Sequence, residues 1–136
     1  MRTRRVKPFE IPVRLLAQKK IWDLKVFYEM AMVAQDWSAF LLLDDDDDEA
    51  VGAIIIADNP LYRAVACQTV IVDKAKRTAK RVAETAWIAR ELTLEEARQR
   101  GRPYATCAVL NAQKYLEILG NPPTIKITET LVLEEV

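Results

Sequence analysis

A cluster of basic residues separates a strand-like apolar run from a helical pattern in the second half of the chain. The run ends at Val72, and Thr78 is a suitable helix N-cap because its hydroxyl can accept from a free amide of the first turn. The basic side chains are Lys74, Lys76, Arg77, Lys80 and Arg81. Because amides at a helix N-terminus favour anions, the segment could bind phosphate groups. The alternative is a solvated helix start that binds nothing.

Other reactive residue types are scarce. The chain has no histidine, which excludes histidine-based dyads and the common transition-metal sites. Cys67 and Cys107 fall in apolar runs, so we expect buried, free thiols. The run Asp44–Asp48 could hold a cation, but consecutive acids without an ordering scaffold favour a solvated, self-repelling hairpin tip. We predict no metal site.

The composition is that of an ordinary globular chain. Its 136 residues fit one domain, 1–136, and 51% are apolar. Net charge is zero, and we expect Trp22, Trp37 and Trp87 in the core, so there is no strong signal for nucleic-acid binding. The basic amino terminus could touch nucleic acid or an acidic partner, and the alternative is a surface strand edged with arginine. No apolar run reaches the roughly 18 residues of a membrane span, and no secretory signal is visible. These features predict a soluble protein of a reducing cytoplasm.

Apolar spacing predicts a mixed α/β order. The expected elements are strand Thr3–Lys7, one broken or two short helices over Val13–Ala34, strands Ala39–Leu43, Val51–Ala57 and Ala64–Val72, a helix ending at Gly101, strand Tyr104–Leu110, helix Asn111–Leu119 and strand Thr124–Leu133. The three middle strands should pair as an antiparallel meander. The long helix should then cross over to a parallel strand, giving a mixed sheet flanked by helices.

The long helix carries apolar residues at helical spacing. Those expected to face the sheet are Ala79, Val82, Ala83, Ala86 and Trp87. The segment from Thr93 to Glu96 has the residue types of a capping box, so we predict a kink or restart there.

The order β-α-α-β-β-β-α-β-α-β resembles the GNAT (acyl-CoA N-acyltransferase) fold across nearly the whole chain. Two local features support the resemblance: the strand, basic loop and helix from Val70 to Val82, and the short helix that ends Tyr115-Leu116-Glu117-Ile118-Leu119-Gly120. The basic segment Lys74–Arg77 and the aromatic-Leu pair before Gly120 also resemble small GNAT-like internal virion proteins of short-tailed phages.

In GNAT enzymes the central helix is entered through Gln/Arg-x-x-Gly-x-Gly/Ala, whose amides hold the diphosphate of coenzyme A. Arg77 matches the first position, but Lys80 and Val82 stand where the glycines belong, and their side chains fill space that the diphosphate needs. In the opposing interpretation, side-chain charge replaces the glycines. The resemblance then implies that acetyl-CoA is bound by Val72, Lys74, Arg77, Thr78, Lys80 and Arg81.

The resemblance also implies positions for a proton donor and a general base, but this chain lacks the expected residue types there. Many GNAT enzymes place a proton-donating Tyr four residues before the glycine, where this chain has Leu116. Tyr115 is the only candidate, and helix neighbours point about 100° apart. The strand Ala64–Val72 offers no carboxylate as a general base.

Two main hypotheses follow. In the first, a GNAT-fold protein has lost acyl transfer, binds no cofactor, and is a phage structural or interaction component with a virion or host protein as partner. In the second, it is a divergent N-acetyltransferase that uses acetyl-CoA. A host-directed phage accessory protein is a third option. The expected location is the host cytoplasm or the virion, and homo-oligomerisation stays open.

Overall fold

Five strands form one mixed sheet with helices packed on it. The computed structural model describes residues 1–46, 48–107 and 112–125. The strands are β1 (Arg2–Val6), β2 (Ser38–Leu43), β3 (Ala50–Asn59), β4 (Ala64–Val72) and β5 (Tyr104–Cys107), and the helices are α1 (Val13–Leu16), α2 (Leu24–Val33), α3 (Ala79–Gln99) and α4 (Ala112–Ile118). The two short helices predicted before β2 are therefore present.

The strands lie side by side in chain order, β1-β2-β3-β4-β5. The first four pair antiparallel, and β5 runs parallel to β4 after the crossover through α3. The predicted meander and the predicted parallel crossover are both confirmed. Within the described residues, the β4–β5 ladder joins Ala64–Cys67 to Tyr104–Cys107, and the rest of the predicted strand Tyr104–Leu110 lies outside them.

Both faces of the sheet are covered, which explains why its central strands are predominantly apolar. Leu41, Leu43 and Ile55 contribute to a core cluster on the face of α1 and α2. Alternate residues such as Leu42 and Ile54 belong to a second cluster, on the face of α3. Successive side chains of a strand point to opposite faces, so each strand supplies both clusters.

Two expectations for α3 are wrong. The helix is continuous through Thr93, whose hydroxyl donates to the carbonyl of Ala89 at 2.6 Å instead of capping a new helix. Trp87 is 42% exposed, with the guanidinium of Arg90 at 5.8 Å from its ring centroid. The side chains buried on α3 are Thr85, Ala89, Thr93, Glu96 and Ala97. Most are small, which lets the helix approach the sheet where an indole ring would not fit.

The other two indoles pack inside. Trp22 and Trp37 are partly buried and lie around Phe27, with ring centroids at 5.4 and 5.9 Å from it. The predicted closing strand Thr124–Leu133 falls almost wholly outside the described residues, and Thr124 itself lies in a turn. Across 1–46, 48–107 and 112–125, no helix is long and apolar enough to cross a bilayer.

Candidate functional site

The basic loop, residues 73–81, begins where β4 ends. The carbonyl of Val72 accepts from the guanidinium of Arg77 at 2.9 Å, which folds that side chain back onto the strand. A 3-10 turn over Lys74–Lys76 follows. The hydroxyl of Thr78 then accepts from the amide of Arg81 at 3.1 Å, so the predicted N-cap is confirmed.

Most amides of the basic loop already have internal partners. The amide of Lys74 donates to the side-chain carbonyl of Gln18, and that of Ala75 donates to the carboxylate of Asp73, both at 3.1 Å. The amide of Lys76 donates to the carbonyl of Asp73 at 3.0 Å. The loop itself is therefore no open anion cradle. In the first turn of α3, the amides of Ala79 and Lys80 precede the capped amide and have no intrahelical acceptor.

The acidic hairpin (residues 44–46, 48 and 49), which joins β2 to β3, lies against this loop. The guanidinium of Arg81 contacts the carboxylate of Asp44 at 2.9 Å, and the ammonium of Lys76 contacts Glu49 at 3.0 Å. Elsewhere on the hairpin, Asp48 pairs with Arg2. The hairpin tip is solvated, as expected, but its charges do not simply repel one another, because cations from distant parts of the chain pair with several of its carboxylates.

Lys80 and Val82 occupy the positions where the GNAT motif has glycine. The Lys80 side chain is 88% exposed, and its closest ion-pair partner in the described chain is Glu84, at 3.9 Å. At that distance the pair holds Lys80 only weakly. The ammonium of Lys80 is thus available to an outside anion. Val82 is half-buried on α3.

Tyr115 lies apart from the basic loop. It is half-buried on α4, and burial together with the nearby thiols of Cys107 and Cys67 raises its pKa to about 12, against the opposing effect of Arg90. A phenol with that pKa stays protonated at neutral pH and can donate. Cys67 is five residues before Val72, or about 16 Å along β4 at ~3.3 Å per residue. The thiols near Tyr115 are therefore well separated from the loop.

The described part of the β4–β5 ladder reaches Cys67 and Cys107, and β4 continues through residues 68–72 without a β5 partner in the described chain. The pairing of β3 with β4 changes register between Ile55 and Ile56, opposite Cys67–Thr69, as expected for a β-bulge. The edge of β4 that leads to the basic loop is consequently free of described strand partners.

Two features were missed by the sequence analysis. Cys107 is exposed, not buried, and it lies directly beside the buried Cys67 across the β4–β5 ladder. Their positions on consecutive parallel strands could have indicated this proximity. The second feature is Glu96, a buried carboxylate on α3 that binds the guanidinium of Arg5 and accepts from Ser38 at 2.8 Å. The position of Glu96 in the sequence does not indicate that Arg5 and Ser38 are its partners.

No protein-family model matches the sequence, and no curated protein matches it either. Solved structures do match. A tetramutant of the BH1408 protein from Bacillus halodurans has a TM-score of 0.63 at 12% identity, covering 97% of this chain and 100% of that one. A probable acetyltransferase has a TM-score of 0.62 at 14% identity, covering 98% and 100%.

Aminoglycoside acetyltransferases are similar as well. The 6'-N-acetyltransferase AAC(6')-Ig from Acinetobacter haemolyticus has a TM-score of 0.59 at 11% identity, covering 100% of this chain and 98% of that one. AAC(6')-Iy in complex with CoA has a TM-score of 0.59 at 14% identity, covering 99% and 98%. Identities this low show the fold alone. The chain has the mixed α/β fold of the GNAT acetyltransferases, as its element order predicts.

Proposed function

We propose that this protein has kept the GNAT fold, has lost acyl transfer, and acts by binding a protein partner in a phage particle or an infected cell. The observation that carries the first part is the acidic hairpin. Its carboxylates neutralise Arg81 and Lys76, two of the cations that would otherwise face a diphosphate. The carboxylate of Asp73 contacts the guanidinium of Arg14 at 2.7 Å and accepts a hydrogen bond from the amide of Ala75. That amide is therefore also occupied by a carboxylate.

A carboxylate in these contacts takes the place of a phosphate oxygen. Both groups accept charge-assisted hydrogen bonds from guanidinium and ammonium groups, so they compete for the same donors. A diphosphate would have to displace Asp44 and Glu49 and also avoid the side chains at Lys80 and Val82. The bound cofactor would therefore gain little from this loop.

The catalytic positions support the same proposal. Leu116 stands where the fold's enzymes often carry the proton-donating tyrosine, and β4 has no carboxylate along residues 64–72. Tyr115 can donate a proton, but it lies beside the cysteine pair, away from the basic loop. The basic loop and the candidate proton donor Tyr115 therefore do not form one site.

The surface supports a role in binding proteins. Val26, Met30 and Val33 recur at helical spacing on α2 and are 46%, 50% and 77% exposed. An exposed apolar stripe of this kind is typical of interaction sites. The resemblance of Lys74–Arg77 and Tyr115–Gly120 to internal virion proteins favours a phage partner. Mass spectrometry of purified particles should detect the protein, and its absence from particles would leave only a host partner.

The second candidate function is a divergent N-acetyltransferase. It is favoured by the exposed ammonium of Lys80 and by the edge of β4 next to the loop, which has no strand partner among the described residues. In this case Tyr115 would protonate the leaving thiolate. The residues that would hold acetyl-CoA are Val72, Lys74, Arg77, Thr78, Lys80 and Arg81.

Calorimetry with acetyl-CoA distinguishes the two functions. We expect no heat of binding at millimolar ligand. Micromolar binding that is lost in the double variant Arg77→Ala/Lys80→Ala would overturn the proposal and establish the enzyme. Arg98→Ala serves as the control, because that exposed cation pairs only locally with Glu95, at 3.1 Å near the far end of α3.

The screening role of the hairpin has its own test with inorganic pyrophosphate as the probe. Changing Asp44→Asn and Glu49→Gln together removes one carboxylate partner each from Arg81 and Lys76, so pyrophosphate should bind at least about tenfold more tightly, or ~1.4 kcal/mol. Asp36→Asn removes an exposed acid elsewhere and should change nothing. Equal affinity in the double variant and the unchanged protein would show that the hairpin does not screen the loop.

A further inference from the structure

Cys67 and Cys107 are placed to react with each other. They are register partners on the neighbouring parallel strands β4 and β5, at the last described pair of the ladder. Neighbouring strands lie about 4.7–4.9 Å apart, and in-register side chains point to the same face. Disulfides require Cα atoms about 4.4–6.8 Å apart, so a bond between the two sulfurs needs no rearrangement of the sheet.

The two thiols differ in access. Cys67 is buried in the core cluster beneath α3, whereas Cys107 is exposed. Neither sulfur is in a disulfide bond in the structure. A dissolved oxidant can therefore reach one sulfur of the pair but not the other. This asymmetry is typical of pairs in which an accessible thiol reacts first and a buried one resolves the product.

Hydrogen bonding also indicates that Cys107 reacts before Cys67. A hydrogen bond from the Cys67 thiol lowers the pKa of Cys107, although partial desolvation by the surrounding protein opposes the effect. The same bond and burial raise the pKa of Cys67, against a hydrogen bond with Thr93 and the charge of Lys19. Tyr115 also faces the pair and stays protonated. Cys107 is thus the better nucleophile at neutral pH.

We propose that Cys67 and Cys107 are a reversible dithiol–disulfide site that reacts with low-molecular-weight disulfides such as glutathione disulfide. The Cys107 thiolate attacks one sulfur of the oxidant, forms a mixed disulfide and releases one glutathione thiolate. Cys67 then loses its proton and attacks the Cys107 sulfur, which releases the second glutathione. Two electrons and two protons pass from the protein to the oxidant, and β5 becomes covalently tied to β4 at the last described pair of their ladder.

Intact-mass spectrometry after incubation with glutathione disulfide tests the site in the full chain. The unchanged protein should lose two hydrogens and carry no glutathione, and dithiothreitol should reverse this. Cys67→Ala should stop at one glutathione on Cys107. Cys107→Ala should stay unmodified while folded. Circular dichroism shows whether each alanine variant is folded. A variant that is not folded is replaced by the corresponding serine variant.

Alkylation by iodoacetamide gives a second readout. Cys107 should be alkylated in the folded protein and Cys67 should not, and the pH profile of the Cys107 reaction should move to higher pH in Cys67→Ala. The proposal is overturned if the unchanged protein retains glutathione or does not react, if Cys107→Ala is modified as fast as Cys67→Ala, or if the alkylation profile does not move.

Discussion

Replacing Gly52 by alanine is expected to lower the free energy of unfolding by about 3 kcal/mol, the upper end for overpacking a core. A Cβ at this position would lie 2.4 Å from the carbonyl oxygen of Ile71 and 2.9 Å from Cδ1 of Leu42. The leucine can rotate, but the carbonyl belongs to the backbone of β4 and can move only with the strand. Urea denaturation followed by circular dichroism measures the loss.

The effect should extend to the basic loop. Gly52 is the register partner of Val72, the last residue of β4, so displacement of this strand shifts the start of the loop. Gly101→Ala is the matched control. Nothing lies within 4 Å of a Cβ there, and the cost is only the strain of a φ of +66°, about 1 kcal/mol. An equal or larger loss for Gly101→Ala would contradict the close approach at Gly52.

Removing the carboxylate of Glu96 should also destabilise the protein, by about 2 kcal/mol for Glu96→Ala. Glu96 is only 4% exposed and binds Arg5, Ser38 and Arg100, the last at 3.2 Å. Without the Glu96 carboxylate, the guanidinium groups of Arg5 and Arg100 lose their shared acidic partner. The expected loss is below that of a fully buried pair, because the Arg5 side chain is 54% exposed and partly hydrated.

Glu95 provides the control on the adjacent position. Its side chain is 53% exposed and pairs only with nearby residues of α3, so Glu95→Ala should change the free energy of unfolding by less than about 0.5 kcal/mol. Similar losses for both variants in thermal or urea unfolding would show that the Glu96 contacts do not stabilise the fold.

The Glu96 contribution should depend on pH. Burial alone would raise the pKa of Glu96, but hydrogen bonds from Arg5 and Ser38, together with the charges of Arg5 and Arg100, outweigh burial and hold the pKa below its ordinary value. A depressed pKa stabilises the folded state above the unfolded pKa, near 4.3, and the stabilisation is lost as pH falls through the folded value. The difference in stability from Glu96→Gln should thus be full at pH 7 and shrink below about pH 4.

Strands were the most predictable part of this chain. The bounds predicted for β4, Ala64–Val72, are those of the structure, because a β-branched run between two turn signals leaves few alternatives. The buried face of α3 was not predictable from hydrophobicity. Thr85 and Thr93 are buried since their hydroxyls bond to the helix's own carbonyls, while the far more apolar Trp87 stays outside.

The candidate site was predictable in its charges but not in their pairing. The sequence shows the cations of the basic loop and the acids of the hairpin as two separate runs. Only the antiparallel register of β2, β3 and β4 brings Asp44 to Arg81 and Glu49 to Lys76. A sequence gives the sign and the number of the charges in a segment. Which charges neutralise one another depends on distances across the folded sheet.

The chain-order arrangement of the sheet has a consequence for how the protein folds. β2, β3 and β4 are joined by short connections, so their contacts are local and can form early. The contacts of β1 with β2 span α1 and α2, and those of β5 with β4 span the 21-residue α3, so we expect both to form later. In the described part of the sheet the β4–β5 ladder has the fewest residue pairs, four, so its amide hydrogens should exchange early under native conditions.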